Sequence, residues 1–167
     1  MDPTEVTLNG AELKEIQEKR APKPRWQSAL SFAMSKRGVP YVYGGASSSG
    51  YDCSGLMLRA YESVGIELPR TAAQQYSAFG KKIAWDDLKA GDLVFFSGLG
   101  HVGMISKPGY MVHAPHTGDV VKEEKLSAWR RTAFVGAVRP DARGVKVAED
   151  LAKLRKAKPP VMFTATL

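Results

Sequence analysis

Up to about residue 80, apolar positions along the chain recur at helical spacing; beyond it they gather into short extended runs bounded by turn residues. Ala11, Leu13 and Ile16 share a short helix that Asn9-Gly10 opens and Ala21-Pro22-Lys23-Pro24 breaks. Trp26, Ala29, Leu30, Ala33 and Met34 predict a stronger helix, closed by Gly38. After the extended run Val39-Pro40-Tyr41-Val42-Tyr43 and a Gly/Ser-rich loop, a third face appears. Leu56, Met57, Ala60, Tyr61 and Val64 follow Cys53 at one-face spacing, and this helix ends near Gly65. Leu68-Pro69-Arg70-Thr71 restarts a short helix through Tyr76. Leu93-Val94-Phe95-Phe96 reads as a buried strand. His101 to Ser106 and Tyr110 to Ala114 read as a hairpin around Lys107-Pro108-Gly109, and Phe134 to Val138 as a further strand. Val147, Ala148, Leu151 and Ala152 mark a weak amphipathic helix that Pro159-Pro160 ends. No internal repeat or low-complexity tract interrupts this order.

Composition changes the picture little. A chain of 167 residues with 44% hydrophobic and 25% charged side chains is an ordinary globular one. Its length suggests one domain with short additions at either end. No run of about 18 apolar residues predicts a membrane span. Met1-Asp2-Pro3-Thr4-Glu5 lacks the basic start and apolar block of a signal peptide, so the chain either stays inside or is a piece of a longer one. A formal charge of +7 favours anionic surroundings such as wall polymers or acidic lipid heads. The basic residues are scattered apart from Lys153, Arg155, Lys156 and Lys158, and no aromatic-interleaved stripe points to nucleic acid.

The candidate chemistry centres on Cys53, the single cysteine. Asp52 is suited to cap the helix that follows, placing Cys53 at its first position. There the macrodipole favours the thiolate and lowers the thiol pKa. A nucleophile needs a base, and the base an orienting group. The chain has three histidines, His101, His113 and His116. If Lys107-Pro108-Gly109 is a three-residue loop, Ser106 pairs with Tyr110 and His113 faces Gly103. His101 is then the diagonal neighbour of His113, roughly 7–8 Å away at Cα. A two-residue loop would shift the register by one and put the two on opposite faces. His116, beyond a proline and of opposite parity, is a bystander. A lone cysteine is by itself most often an inert core residue, and one Cys with two His could also ligate zinc. Their spacing matches no zinc module, and neither metal nor cofactor is expected.

Five motifs in order resemble the NlpC family of cell-wall cysteine peptidases. They are Pro40-Tyr41-Val42-Tyr43-Gly44-Gly45 with Asp52-Cys53-Ser54-Gly55-Leu56; Leu68-Pro69-Arg70-Thr71 with a following Gln; Gly91-Asp92-Leu93-Val94-Phe95-Phe96; His101-Val102-Gly103-Met104; and Met111-Val112-His113-Ala114-Pro115. The resemblance covers residues 26–140. It implies an α+β, reduced papain-like fold, with N-terminal helices packed on a central antiparallel sheet. The expected division is an extension or linker over 1–24, a peptidase domain over 25–140, and a C-terminal extension with a short helix over 141–167. The implied activity is hydrolysis of peptidoglycan stem peptides, at the D-γ-glutamyl-diaminopimelate (or lysine) bond. The resemblance makes Cys53 the nucleophile, His101 the base and His113 its orienter. Tyr41 would assist substrate or oxyanion binding, while Asp52, Ser54 and Arg70 would line the groove. It further implies a monomer acting on peptidoglycan or muropeptides, outside the cell or in its wall. A cytoplasmic or phage-borne origin fits the same residues. The alternatives are a wall-binding module without turnover, and a cysteine amidase or acyltransferase on another acyl substrate.

Overall fold

The computed structural model describes residues 5–20, 23–156 and 163–166. In chain order the elements begin with β1 (Glu5–Leu8), α1 (Gly10–Arg20), α2 (Arg25–Ser35), β2 (Ala46–Ser47), β3 (Gly50–Tyr51), α3 (Cys53–Glu62) and α4 (Ala72–Ser77). A 3₁₀ turn (Trp85–Asp87) leads to β4 (Leu93–Phe96), β5 (His101–Lys107), β6 (Tyr110–His113) and β7 (Lys122–Lys125). Then follow α5 (Ala128–Ala133), β8 (Phe134–Val138), α6 (Ala142–Lys156) and β9 (Phe163–Thr166).

Pro24–Ala142 forms one compact unit, and the described parts of the two ends form another. In the latter, β1 pairs antiparallel with β9, from Glu5 opposite Thr166 to Leu8 opposite Phe163. Asn9 and Glu12 cap α1 reciprocally, each side chain accepting from the other's backbone amide at 2.8 and 2.9 Å. The helix breaker Ala21-Pro22 and the stop Pro159-Pro160 lie outside the described residues.

The larger unit is α+β. Its antiparallel sheet runs in the order β7-β6-β5-β4-β8. Leu93, Phe95, Val102, Met104 and Val112 face α2 and α3, packing on Ala29, Ala33, Leu56, Met57, Ala60 and Tyr61. Val94, Phe96, Ile105, Met111 and Ala137 point the other way, beneath Ile83, Trp85, Leu88, Leu126 and Phe134. Covering on both faces explains why Leu93-Val94-Phe95-Phe96 is an unbroken apolar run rather than an alternating one: all four are fully buried. Each large side chain sealed here contributes about 1.5–3 kcal/mol. The entry to β4 is pinned by Asp92, fully buried, whose carboxylate accepts from Arg139 at 2.8 and 2.9 Å and from the Lys89 amide at 2.8 Å.

The β5–β6 hairpin corrects one expectation and preserves its consequence. Lys107 pairs with Tyr110, so the loop has two residues, Pro108 and Gly109, rather than three. Gly109 has φ +79°, which suits a glycine following proline in a tight turn. A bulge at Ser106 then restores the register, so that Ile105 faces Met111 and Met104 faces Val112. The two histidines therefore share a face after all.

Candidate active site

The Cys53 position is built by local capping. Asp52 is extended (φ −87°, ψ 179°) and its side chain accepts the Gly55 amide at 2.6 Å. Cys53 is thus the first residue of α3. Arg70 grips the same carboxylate with both ends of its guanidinium, at 2.7 and 3.0 Å, and donates to Ser54 Oγ at 2.9 Å. Gln75, fully buried, donates to the carbonyls of Ser54 and Pro69, tying the Arg70 loop to the start of α3. The incoming loop lies on that first turn, where the Asp52 amide donates to Gly45 O at 2.9 Å.

Burial pushes the Cys53 thiol up, and the Asp52 carboxylate adds to this; the backbone amides of Val102, Ser54 and Cys53 pull the other way. This reverses the direction expected from the helix terminus, because desolvation of a mostly enclosed sulfur outweighs the amides facing it. His101 opens β5 and His113 closes β6. Their rings meet edge to face, with Nε2 of His101 2.8 Å from Nδ1 of His113. Burial, then the neighbouring His113 and Arg130, lowers His101 to about 3. Burial likewise lowers His113, which Glu124 partly opposes. Gly103 stands opposite His113 in the hairpin register, and a Cβ there would approach Met111 Sδ to 2.7 Å and His113 Cβ to 3.4 Å.

With the thiol raised and the imidazole lowered, both groups favour their neutral forms at rest over a thiolate and an imidazolium. Alkylation of Cys53 by iodoacetamide is therefore expected to accelerate continuously as pH rises through 7 and beyond. The thiolate fraction keeps growing up to a pKa above the ordinary thiol value. A rate already level between about pH 5 and 7 would instead reveal a preformed ion pair.

Tyr41 bridges to Tyr51 in the chain leading to the loop. Its phenol is raised by burial and then by Cys53 and Asp52, which places it in the field of the same site. His116 is exposed, with Nδ1 2.9 Å from the Thr117 carbonyl oxygen. One residue went unread in the sequence. Glu124, on β7, holds Oε2 2.6 Å from His113 Nε2. Its run Lys122-Glu123-Glu124-Lys125 has no apolar alternation to announce a strand. Among the described residues, no group of three or more His, Cys, Asp or Glu is placed to hold a metal ion, and no helix is long and apolar enough to cross a membrane.

The gamma-D-glutamyl-L-lysine dipeptidyl-peptidase of Bacillus subtilis is 39% identical over 109 residues, 56% of this chain and 36% of that protein. The bifunctional muramidase/DL-endopeptidase CwlT of the same organism is 37% identical over 112 residues, 63% of this chain and 34% of that protein. The match thus spans about a third of the length of either relative. Among solved structures, an NlpC/P60 family protein from Bacillus cereus superposes with a TM-score of 0.66 at 32% identity, over 72% of this chain and 41% of that one. The P60 domain of an antigen from M. avium subspecies paratuberculosis gives 0.62 at 28%, over 70% and 95%. The family profile described as NlpC/P60 matches residues 38–139, a stretch that holds Cys53, His101, His113 and Glu124 alike, and the chain belongs to the NlpC/P60 family.

Proposed function

We propose that this chain is a cysteine peptidase that cleaves peptidoglycan stem peptides after γ-D-glutamate, at its bond to diaminopimelate or lysine. The observation that carries the reading is Cys53 at an Asp52-capped helix start, facing the amide of Val102, the residue that follows the buried His101. The activities for which the two Bacillus subtilis relatives are named support the substrate class. In this reading His101 takes the thiol proton as the sulfur attacks the carbonyl carbon, and a neutral imidazole is the form able to do so. The oxyanion forms beside the Cys53 amide, with the Tyr41 hydroxyl as a second donor. His101 then returns the proton to the departing amine, and a water it activates releases the acyl group. Arg70 already holds Asp52, Ser54 and the loop, so it shapes the groove more than it offers a free cation to a stem-peptide carboxylate. Such a substrate lies outside the cytoplasmic membrane, which places the action in the cell wall or beyond it.

Mass spectrometry of defined muropeptides after incubation tests the reading. Fragments ending in γ-D-glutamate are the expected products. Intact muropeptides, or cleavage only at other linkages, would sink it.

A further inference from the structure

Two neutral imidazoles sharing one hydrogen bond leave its direction undetermined. Either His101 donates from Nε2 to a lone pair on His113 Nδ1, or the proton sits on His113 and the donation reverses. The two arrangements are opposite in consequence. In the first, His101 Nδ1 keeps a lone pair; in the second, Nδ1 carries the proton and the ring has no free basic nitrogen.

Glu124 resolves the choice. A carboxylate only accepts, and its Oε2 lies 2.6 Å from His113 Nε2. His113 must then carry its proton on Nε2, which leaves Nδ1 as an acceptor. His101, 2.8 Å from that nitrogen, must donate from Nε2. The geometry is made by repeating one relation across three strands. His113 pairs with Lys122, so Glu124 is two residues along β7 from its partner, a diagonal neighbour. His101 stands in the same diagonal relation to His113, on the other side. The cations acting on these rings, Lys122 on β7 and Arg130 on α5 (the latter over the Phe96 ring at 5.2 Å), disfavour the charged imidazolium and so keep the rings neutral. His116 contributes a weaker repulsion at His101. Among the described residues, Glu124 is the acidic side chain hydrogen-bonded to His113.

We propose that Glu124 is a positioning residue that selects the tautomers of His113 and His101 in series, leaving Nδ1 of His101 as the nitrogen that accepts a proton. It rests on the peptidase reading only for the use made of that nitrogen; the tautomers themselves exist without substrate.

The test is a long-range ¹H–¹⁵N correlation spectrum of the histidine-labelled full chain at neutral pH, recorded for the wild type, Glu124→Gln and Glu124→Leu. The amide of Gln can present either its oxygen or its NH₂, and Leu presents neither. In the wild type, both rings are expected as Nε2–H tautomers. In the variants, at least one ring is expected to become mixed or to switch to Nδ1–H. On muropeptides kcat falls about 10- to 100-fold in the variants, with KM within about twofold. A wild-type His101 protonated on Nδ1 would overturn the proposal, and so would variants that keep the wild-type tautomers. Glu124 is 43% exposed on an edge strand, so replacing it opens no cavity, and the wild-type spectrum is decisive by itself. Changed tautomers in a protein that leaves muropeptides intact would support the role of Glu124 and sink the peptidase reading alone.

Discussion

Cys53→Ala is expected to abolish muropeptide cleavage, lowering kcat/KM on the order of 10⁴- to 10⁶-fold, while leaving the fold in place. Two steps are lost together. No sulfur attacks the carbonyl, and His101 has no thiol proton to take and return. What remains is substrate binding and whatever the Cys53 amide and Tyr41 can do for a water attacking unaided. The structural cost is small, because alanine is acceptable at the first position of a helix whose cap is supplied by Asp52. Circular dichroism and the thermal midpoint should match the wild type. Product formed at equal rates by both proteins would assign any hydrolysis to another group or to a contaminant. A folded variant that still retains muropeptides on a column, without cutting them, is the outcome that separates binding from turnover.

The second large effect is on stability. Helix propensity alone says that Gly55→Ala in α3 should stabilise by roughly 1 kcal/mol. Packing says the reverse. A Cβ on Gly55 would collide with the carbonyl oxygen of Gly45 and come within 2.9 Å of Asp52 Oδ1. The first is backbone, and it is held by the Asp52 amide. The second is the cap, held by Arg70. Neither can give way without loosening the other, so overpacking of about 3 kcal/mol outweighs the propensity gain. The thermal midpoint should fall by roughly 10 °C for a unit of this size. A midpoint that rises would mean the Gly45 loop sits farther from α3 than these contacts indicate.

How much of this was legible in the sequence depends on whether the deciding interaction was local. Asp52, Cys53 and the face of α3 are set within one turn, and they read correctly. The pairing of His101 with His113 also read correctly, although the loop did not: proline and glycine formed a tighter turn than expected, and Ser106 absorbed the difference. The direction of the thiol shift was misread because the sequence displays a helix start and hides the depth of burial. The grip of Arg70 on Asp52 crosses 18 positions, and the Glu124 contact with His113 crosses 11, with an irregular loop between. Periodicity carries no information across such gaps. Glu124 additionally sits among charged neighbours on an edge strand, where a functional carboxylate looks like any solvated one.

The bulge at Ser106 also defines where the hairpin can change length. The site depends on Ile105 facing Met111, and the residues between those two can divide into loop and strand in more than one way with the same result. A three-residue loop with Ser106 paired, or a two-residue loop with Ser106 bulged, delivers the histidines identically. Removing Ser106 outright would keep the same partners and merely straighten the strand. The segment 106–110 is thus a buffer for insertions and deletions. No such slack exists from His101 to Ile105 or from Met111 to His113, where one added residue would carry a histidine to the opposite face of the sheet.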